Sequence, residues 1–103
     1  MQRRTKALAI PPKVKAKVYE RDGGRCVICG KMGDPVCHYI ARSQGGLGIE
    51  ENIVTLCPNC HRDYDNSDKR KFYREIIKAY LDEIYPDFSD DQRIYKKWRN
   101  LNA

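Results

Sequence analysis

Four of the five cysteines form two Cys-x-x-Cys pairs, a spacing that is typical of metal binding. The pairs are Cys26/Cys29 and Cys57/Cys60, and 27 residues separate them. Each pair brings two sulfurs to one tight turn, and four thiolates complete a tetrahedral Zn²⁺ site with no open coordination position. Four reduced cysteines without metal are the alternative, and a redox-active pair is less favoured because a thioredoxin-like βαβ pattern is absent. The sequence therefore predicts a structural zinc site.

The two histidines of the chain carry the second chemical signal. His61 directly follows Cys60, and on a helix that begins at Pro58 it shares one face with Asp65 at i, i+4. An imidazole and a carboxylate form half a shell for a divalent ion that leaves positions for water and phosphate. His38 could then act as a general base near neutral pH. The alternative is that both histidines are structural, one in a strand and the other capping or packing a helix.

Apolar patterns and turn residues predict the elements that must position these side chains. A helix is expected from Pro12 to about Arg21, and strands are expected over Val36–Ala41 and Asn52–Cys57. A Gly-rich loop joins the two strands, and a short helix from Pro58 follows. This order of strand, loop, strand and helix is a ββα unit.

The last third of the chain is predicted to be helical. Residues 69–85 carry one broad apolar stripe at i, i+4, which we interpret as core packing, and Pro86 ends that helix. Ser89 and Gln92 have the spacing of a capping box, which predicts a last helix through about Arg99. Helices therefore flank the ββα unit, and the predicted class is α+β.

The net charge of +6 is unevenly distributed along the chain. Residues 1–31 and 69–103 carry net charges of +7 and +3, whereas residues 32–68 carry −4. Basic flanks suit a phosphate backbone and an acidic centre suits a cation, although simple solvated charge is the alternative. The candidate DNA-binding residues are Arg3, Arg4, Lys13, Lys15, Lys17, Arg42 and Arg62.

The sequence has no apolar run long enough for a transmembrane helix and no apolar signal region near its start. We therefore expect no membrane partner and a cytoplasmic location. In that compartment paired cysteines bind metal more often than they form disulfides.

The stretch CHYIARSQGGLGIEENIVTLCPNCHRDYD resembles the core of HNH endonucleases, especially the small phage or prophage type with a four-cysteine zinc site. The first histidine, the Gly-Gly loop, ENIVTLC and CPNCH follow one another in the family's order. The resemblance implies a small zinc-stapled ββα-metal core, also called a His-Me finger, with flanking helices. On this basis residues 1–11 are a flexible basic arm, 12–68 the zinc-bound HNH domain, and 69–103 helices that pack on or extend it.

The resemblance also implies roles for three residues. His38 would activate the water that attacks the scissile DNA phosphate, and His61 would bind a divalent ion, Mg²⁺, Mn²⁺ or another transition metal. Asn52 would hold the long loop so that His38 is correctly oriented. The products would be 5′-phosphate and 3′-hydroxyl ends, from nicking or double-strand cutting. A phage or prophage origin in a bacterial host, with a terminase or other packaging protein as a possible partner, is implied as well.

One position departs from the family pattern. Many members place Asp or His immediately before the base as a second metal ligand, and this chain has Cys37 there. A thiolate prefers Zn²⁺ over Mg²⁺, so Cys37 either ligates a softer metal or is a small buried residue. The apolar neighbours Val36 and Tyr39 favour a buried Cys37. The divalent ion would then be bound by His61, Asp65 and water.

Two other functions compete with an HNH endonuclease. A zinc-knuckle DNA-binding protein without catalysis would use the same basic segments. A phage adaptor protein would leave the apolar stripe of residues 72–85 exposed for a partner such as a terminase. The set of His38, Asn52, His61 and Asp65 favours the nuclease, because a binding protein would not need all four residues.

Overall fold

The computed structural model describes residues 3–96, without the side chain of Arg3. Three short 3₁₀ turns accompany the main elements, at Arg42–Gln44, Glu50–Asn52 and Asp91–Arg93. The mixture of helices with a small sheet confirms the predicted α+β class. The helices and strands are α1 (Arg3–Leu8), α2 (Pro12–Asp22), β1 (Asp34–His38), β2 (Ile53–Leu56), α3 (Pro58–Asn66) and α4 (Arg70–Ile84).

The two strands form an antiparallel sheet, and α3 follows it directly to complete the predicted ββα unit. Cys37 lies opposite Val54 in this sheet. β1 ends at His38, three residues before the predicted end at Ala41. The strand ladder stops there because the next free amide, that of Ile40, donates to the side chain of Asn52 rather than to β2.

Helix α2 is fixed to the sheet by an ion pair at its C-terminal end. The Arg21 guanidinium donates to the carbonyl oxygens of Glu50 and Ile53, each at 2.7 Å. The neighbouring Asp22 carboxylate, whose side chain is fully buried, accepts the Thr55 amide of β2 at 2.9 Å. A buried ion pair of this kind is costly to break on one side, so it holds α2 against β2 firmly.

Helix α4 supplies the apolar stripe predicted from the sequence. Ile77 and Leu81 are completely buried, and Tyr73 and Tyr80 pack at the edge of the same core. Phe72 and Ile84 remain exposed at the two ends of the helix. The middle of the stripe is therefore core, whereas an adaptor protein would leave the whole stripe exposed. Among the described residues, no helix has the length and apolar character needed to cross a membrane.

Residues 3–8 of the segment 1–11, which was expected to be a flexible basic arm, form helix α1. This helix ends on Leu8, whose side chain is 3% exposed, and the Ala7 carbonyl accepts the Gly48 amide at 3.0 Å. The apolar end of the segment gains burial against the domain, and that offsets the cost of ordering a charged helix.

The last predicted helix is also corrected. Its capping box forms, because Ser89 Oγ accepts the Gln92 amide and Gln92 Oε1 accepts the Ser89 amide. Only a 3₁₀ turn follows, and Ile94 is extended and pairs with Gly46 of the Gly-rich loop. This pairing across the fold outweighs the local helix signal. Residues 97–103, where the helix was expected to end, lie outside the described part of the chain.

Candidate metal centre and adjoining cleft

The four paired cysteines converge on one point between the start of α3 and the turn after α2. Their sulfurs all lie within 4.8 Å of one another, and Cys29 Sγ is 3.6 Å from Cys57 Sγ. Four thiolates at the usual Zn–S distance of about 2.3 Å would lie about 3.8 Å apart, so the cluster fits a tetrahedral zinc ion. This geometry confirms the predicted four-cysteine metal site and is consistent with zinc. It leaves no protein ligand position open for chemistry.

Backbone hydrogen bonds shape both cysteine turns. The Cys26 amide donates to the Lys31 carbonyl at 2.7 Å, and the Gly30 amide donates to the Cys26 carbonyl at 2.9 Å. Gly30 has φ +81°, which glycine adopts without strain. In the second turn Cys57 caps α3, and its sulfur accepts the Cys60 amide at 3.4 Å. Burial raises the pKa of the Cys57 thiol, but this amide and the neighbouring thiols bring it down to about 7.

A cleft of about 460 Å³ adjoins this centre. It combines two imidazoles, one carboxylate and three cationic side chains, which is a composition suited to phosphate chemistry. Its apolar walls come from the segment after α1, from Val36 of β1 and from the loop after β1. The ionisable side chains that line it are His38, His61, Asp65, Lys15, Arg42 and Arg70.

His38 ends β1 and is held by a backbone group from α1. Its Nε2 lies 2.8 Å from the Leu8 carbonyl oxygen. Because a carbonyl can only accept, Nε2 carries the proton in the neutral ring and Nδ1 has the free lone pair. Burial lowers the pKa of His38, the Leu8 carbonyl opposes that shift, and Arg42 adds to it. The imidazole is therefore neutral at pH 7 and able to accept a proton.

His61 and Asp65 lie one helical turn apart on α3. His61 Nε2 is 3.5 Å from Asp65 Oδ2, as the i, i+4 spacing predicts. The His61 amide donates to the Cys57 carbonyl at 2.9 Å, so this histidine sits on the first turn after the cysteine cap. Both side chains are partly exposed and line the cleft.

Asn52 is completely buried beneath the loop between the strands. Its Oδ1 accepts the Ile40 amide at 2.9 Å, and its Nδ2 donates to the carbonyls of Ile40 at 3.2 Å and Leu47 at 2.8 Å. All polar atoms of the amide are used, and they tie the loop at Ile40 and Leu47 to the start of β2. The side chain thus fixes the backbone that follows His38.

Cys37 points away from the cleft and into the core. It is 1% exposed, and its thiol lies 3.7 Å from the His38 carbonyl. Burial raises the pKa of this thiol, with a further contribution from Asp65, so it stays protonated. A protonated thiol is a poor metal ligand. The geometry therefore favours the hypothesis that Cys37 is a small buried residue and not a ligand.

The candidate DNA-binding residues fall into separate groups. Lys15 and Arg42 line the cleft, whereas Lys17 pairs with Glu50 at 3.3 Å. Lys13 is exposed, and Arg62 is engaged with Asn59. Arg4 donates to the Arg42 carbonyl, and the side chain of Arg3 is outside the described structure. The sequence therefore predicted two of the three cleft cations.

Arg70 is the cleft cation that the sequence reading missed. Its guanidinium lies 4.4 Å from the centre of the Tyr64 ring and donates to the Tyr64 carbonyl at 3.0 Å. The signal was the basic run Lys69–Lys71, which directly follows the helix that carries His61. The Leu8 carbonyl was missed as well, and a backbone acceptor has no signal in side-chain types.

Comparisons with known proteins cover the segment that contains the cysteine cluster and both histidines. Residues 26–67 match the family model described as HNH endonuclease. The chain is 33% identical over 94 residues to the type IV methyl-directed restriction enzyme EcoKMcrA of Escherichia coli K12, covering 82% of this chain and 34% of that enzyme. It is 32% identical over 54 residues to Anaredoxin of Nostoc sp., covering 50% of this chain and 71% of that protein. Residues 26–67 of this chain are therefore similar to HNH endonucleases. The chain spans about a third of the restriction enzyme.

Proposed function

We propose that this protein is a metal-dependent endonuclease that hydrolyses DNA phosphodiester bonds, with His38 as the general base. The observation that carries the proposal is the convergence of His38, His61 and Asp65 in one cleft that also holds cationic side chains. A merely structural histidine would not need a partly open, charged cleft. The similarity to a restriction enzyme supports DNA as the substrate.

The proposed base is the free Nδ1 of His38. This nitrogen takes a proton from water, the water oxygen attacks phosphorus, and the bond from phosphorus to the 3′ oxygen breaks. The leaving 3′ oxygen takes up a proton from solvent, and His38 later returns its proton to solvent. The products are a 5′-phosphate and a 3′-hydroxyl. The lowered pKa of His38 supports this role, because the neutral ring is then the dominant form at pH 7.

His61 and Asp65 are the residues that would hold a divalent ion. Among the described residues only the four cysteines bring three or more ligand atoms together, so the cleft offers two protein ligands. That number suits Mg²⁺ or Mn²⁺, which are often held by few side chains together with water and substrate phosphate. When bound, such an ion stabilises charge on the phosphate and on the leaving oxygen.

Lys15, Arg42 and Arg70 are proposed to bind the phosphates that flank the cut bond. They belong to α2, to the loop after β1 and to α4, so they surround the cleft from three sides. Contacts of this kind attract any DNA sequence and weaken as salt rises. Asn52 is proposed to act indirectly, because its loop contacts fix the backbone next to His38.

A DNA-binding protein without catalysis is the second candidate, and the burial of Cys37 favours it. Where the family often has a metal ligand, this chain has a protonated core thiol. The proposed catalytic ion would then be held by only two side chains, those of His61 and Asp65. A phage origin, a cytoplasmic location and a packaging partner such as a terminase remain predictions from the resemblance alone.

Plasmid nicking with Mg²⁺, Mn²⁺, Ni²⁺ and Zn²⁺ tests the proposal. Asp65→Ala is compared with Asp63→Ala, a matched control on the same helix whose carboxylate pairs with Lys69 instead. We expect cleavage with at least one ion, a higher ion requirement for Asp65→Ala, and no change for Asp63→Ala. Absence of cleavage with every ion, together with retained DNA binding, would establish the second candidate instead.

A further inference from the structure

Helix α1 lies outside the matched HNH region, yet it touches the proposed base. The region matched by the family begins at residue 26, whereas the hydrogen-bond partner of His38 Nε2 is the carbonyl of Leu8 at 2.8 Å. The adjoining Ala9 and Ile10 form part of the cleft wall. The N-terminal segment is therefore part of the site and not an appendage beside it.

A glycine of the loop between the strands allows this close approach. A Cβ placed on Gly48 would lie 1.9 Å from the Ala9 carbonyl oxygen and 2.5 Å from its carbon. The Gly48 amide also donates to the Ala7 carbonyl at 3.0 Å. Any side chain at position 48 would force the end of α1 away from the domain, and with it the Leu8 carbonyl.

We propose that Leu8 is a positioning residue of this nuclease, whose carbonyl keeps the proton of His38 on Nε2 and so leaves Nδ1 as the basic nitrogen. The inference rests on the proposed function, since it assigns a task to the base. The functional site then includes α1, and the role of Gly48 is to allow the end of α1 to approach the loop between the strands. Without this acceptor the ring can rotate, and either nitrogen can carry the proton.

The test measures the tautomer of His38 directly, independently of activity. In zinc-loaded, ¹⁵N-histidine-labelled protein at pH 7.5, long-range ¹H–¹⁵N correlation spectra report which ring nitrogen carries the proton, and the chain has only two histidines to assign. We expect the Nε2–H tautomer in the native protein. For Gly48→Ala we expect mixed tautomers and a kcat for DNA nicking lower by roughly 100-fold, with little change in KM.

Gly23→Ala is the matched control. Gly23 caps α2 with φ +66°, so alanine there strains the backbone, but an added Cβ meets no atom within 4 Å and the residue does not line the cleft. Gly23→Ala therefore controls for a general loss of stability. It should keep the native tautomer and kcat. A native His38 that carries its proton on Nδ1, or a Gly48→Ala protein with unchanged tautomer and kcat, would overturn the positioning role. If His38→Ala cleaves like the native chain, the proposed base itself has failed.

An ester at the Leu8–Ala9 bond repeats the test without a steric change, should Gly48→Ala not fold. The bond is made by replacing Ala9 with lactic acid in a synthetic 1–25 segment, which is ligated to the rest of the chain at Cys26. An ester carbonyl is a weaker acceptor than an amide carbonyl. The same replacement at Ala7, which alters the Lys6 carbonyl, is the control. Mixed tautomers in the first protein alone support the inference, and equal tautomers in both refute it.

Discussion

Helix α3 contributes to two sites, the cysteine cluster and the cleft, and they differ in their accessibility to water and substrate. At the start of the helix, four cysteines surround one point and use every position of a tetrahedral ion. One turn further on, His61 and Asp65, the two proposed ligands of a catalytic ion, lie partly exposed in the cleft. A closed set of thiolates stabilises a fold, whereas an open set of nitrogen and oxygen ligands leaves room for a substrate.

The comparison also shows that the two sites are not independent. Cys57 caps α3, and the next turn of the same nine-residue helix presents His61. A helix this short is marginal alone, so the cysteine cluster must hold its first turn in place. In the proposed nuclease the cluster would contribute to cleavage only through this positioning.

Loss of the zinc site should have the largest effect. We expect Cys60→Ser, or removal of the ion with a strong chelator, to unfold the chain, because structural zinc contributes on the order of 10 kcal/mol to such small domains. Circular dichroism and zinc content report the result. Cys37→Ala is the matched control, since Cys37 is buried but lies outside the cluster. A Cys60→Ser protein with native stability would show that the cluster does not stabilise the fold.

Loss of the Asn52 amide should have the next largest effect. Asn52→Ala leaves the buried polar groups of Ile40 and Leu47 without their partner. We expect the free energy of unfolding to fall by about 3 kcal/mol, as for buried groups left unsatisfied. Urea denaturation measures this change. Nicking should fall more than stability accounts for, because the loop next to His38 is released, and a native rate would exclude that link.

Acid should slow nicking only below the ordinary pKa of histidine. Burial holds the pKa of His38 below its ordinary value of 6.5, so the neutral base is the dominant form at pH 7. The nicking rate should fall only as the pH drops through this lowered pKa. Stability shifts in the same direction, because the unfolded chain binds a proton below about pH 6.5 that the folded ring resists. A rate profile with its acid limb above pH 6.5 would contradict a lowered pKa.

The smallest effect is expected at Cys37. Removing this thiol by Cys37→Ala should lower the free energy of unfolding by about 1 kcal/mol, the value of a small buried group. The order of preference among divalent ions for nicking should stay the same. A changed ion preference would mean that Cys37 is a ligand after all and that the buried thiol turns toward the cleft.

Much of the ββα unit could be predicted because its signals are local. The Cys-x-x-Cys spacing, the proline at the start of α3 and the apolar stripe of α4 each depend on neighbours within a few residues. The i, i+4 relation of His61 and Asp65 followed from the helix alone. These features needed no knowledge of how the chain closes on itself.

The remaining features depend on contacts between distant segments. α1 is ordered by the burial of Leu8 and by the carbonyl contact to His38, which its charged sequence does not reveal. The capping box at Ser89 formed as predicted, yet Ile94 pairs with Gly46 instead of continuing a helix. In both cases a long-range contact determines the local structure, and the residue types within a short window do not predict that contact.

The most direct test of the division between a closed structural site and an open catalytic cleft is the nicking rate of His38→Ala. Its zinc content and melting temperature are measured beside the rate, with Mn²⁺ in excess. We predict a rate lower by about 10²- to 10⁴-fold, the usual contribution of a general base, with zinc content unchanged. A mutant that nicks DNA as fast as the native protein would contradict the account.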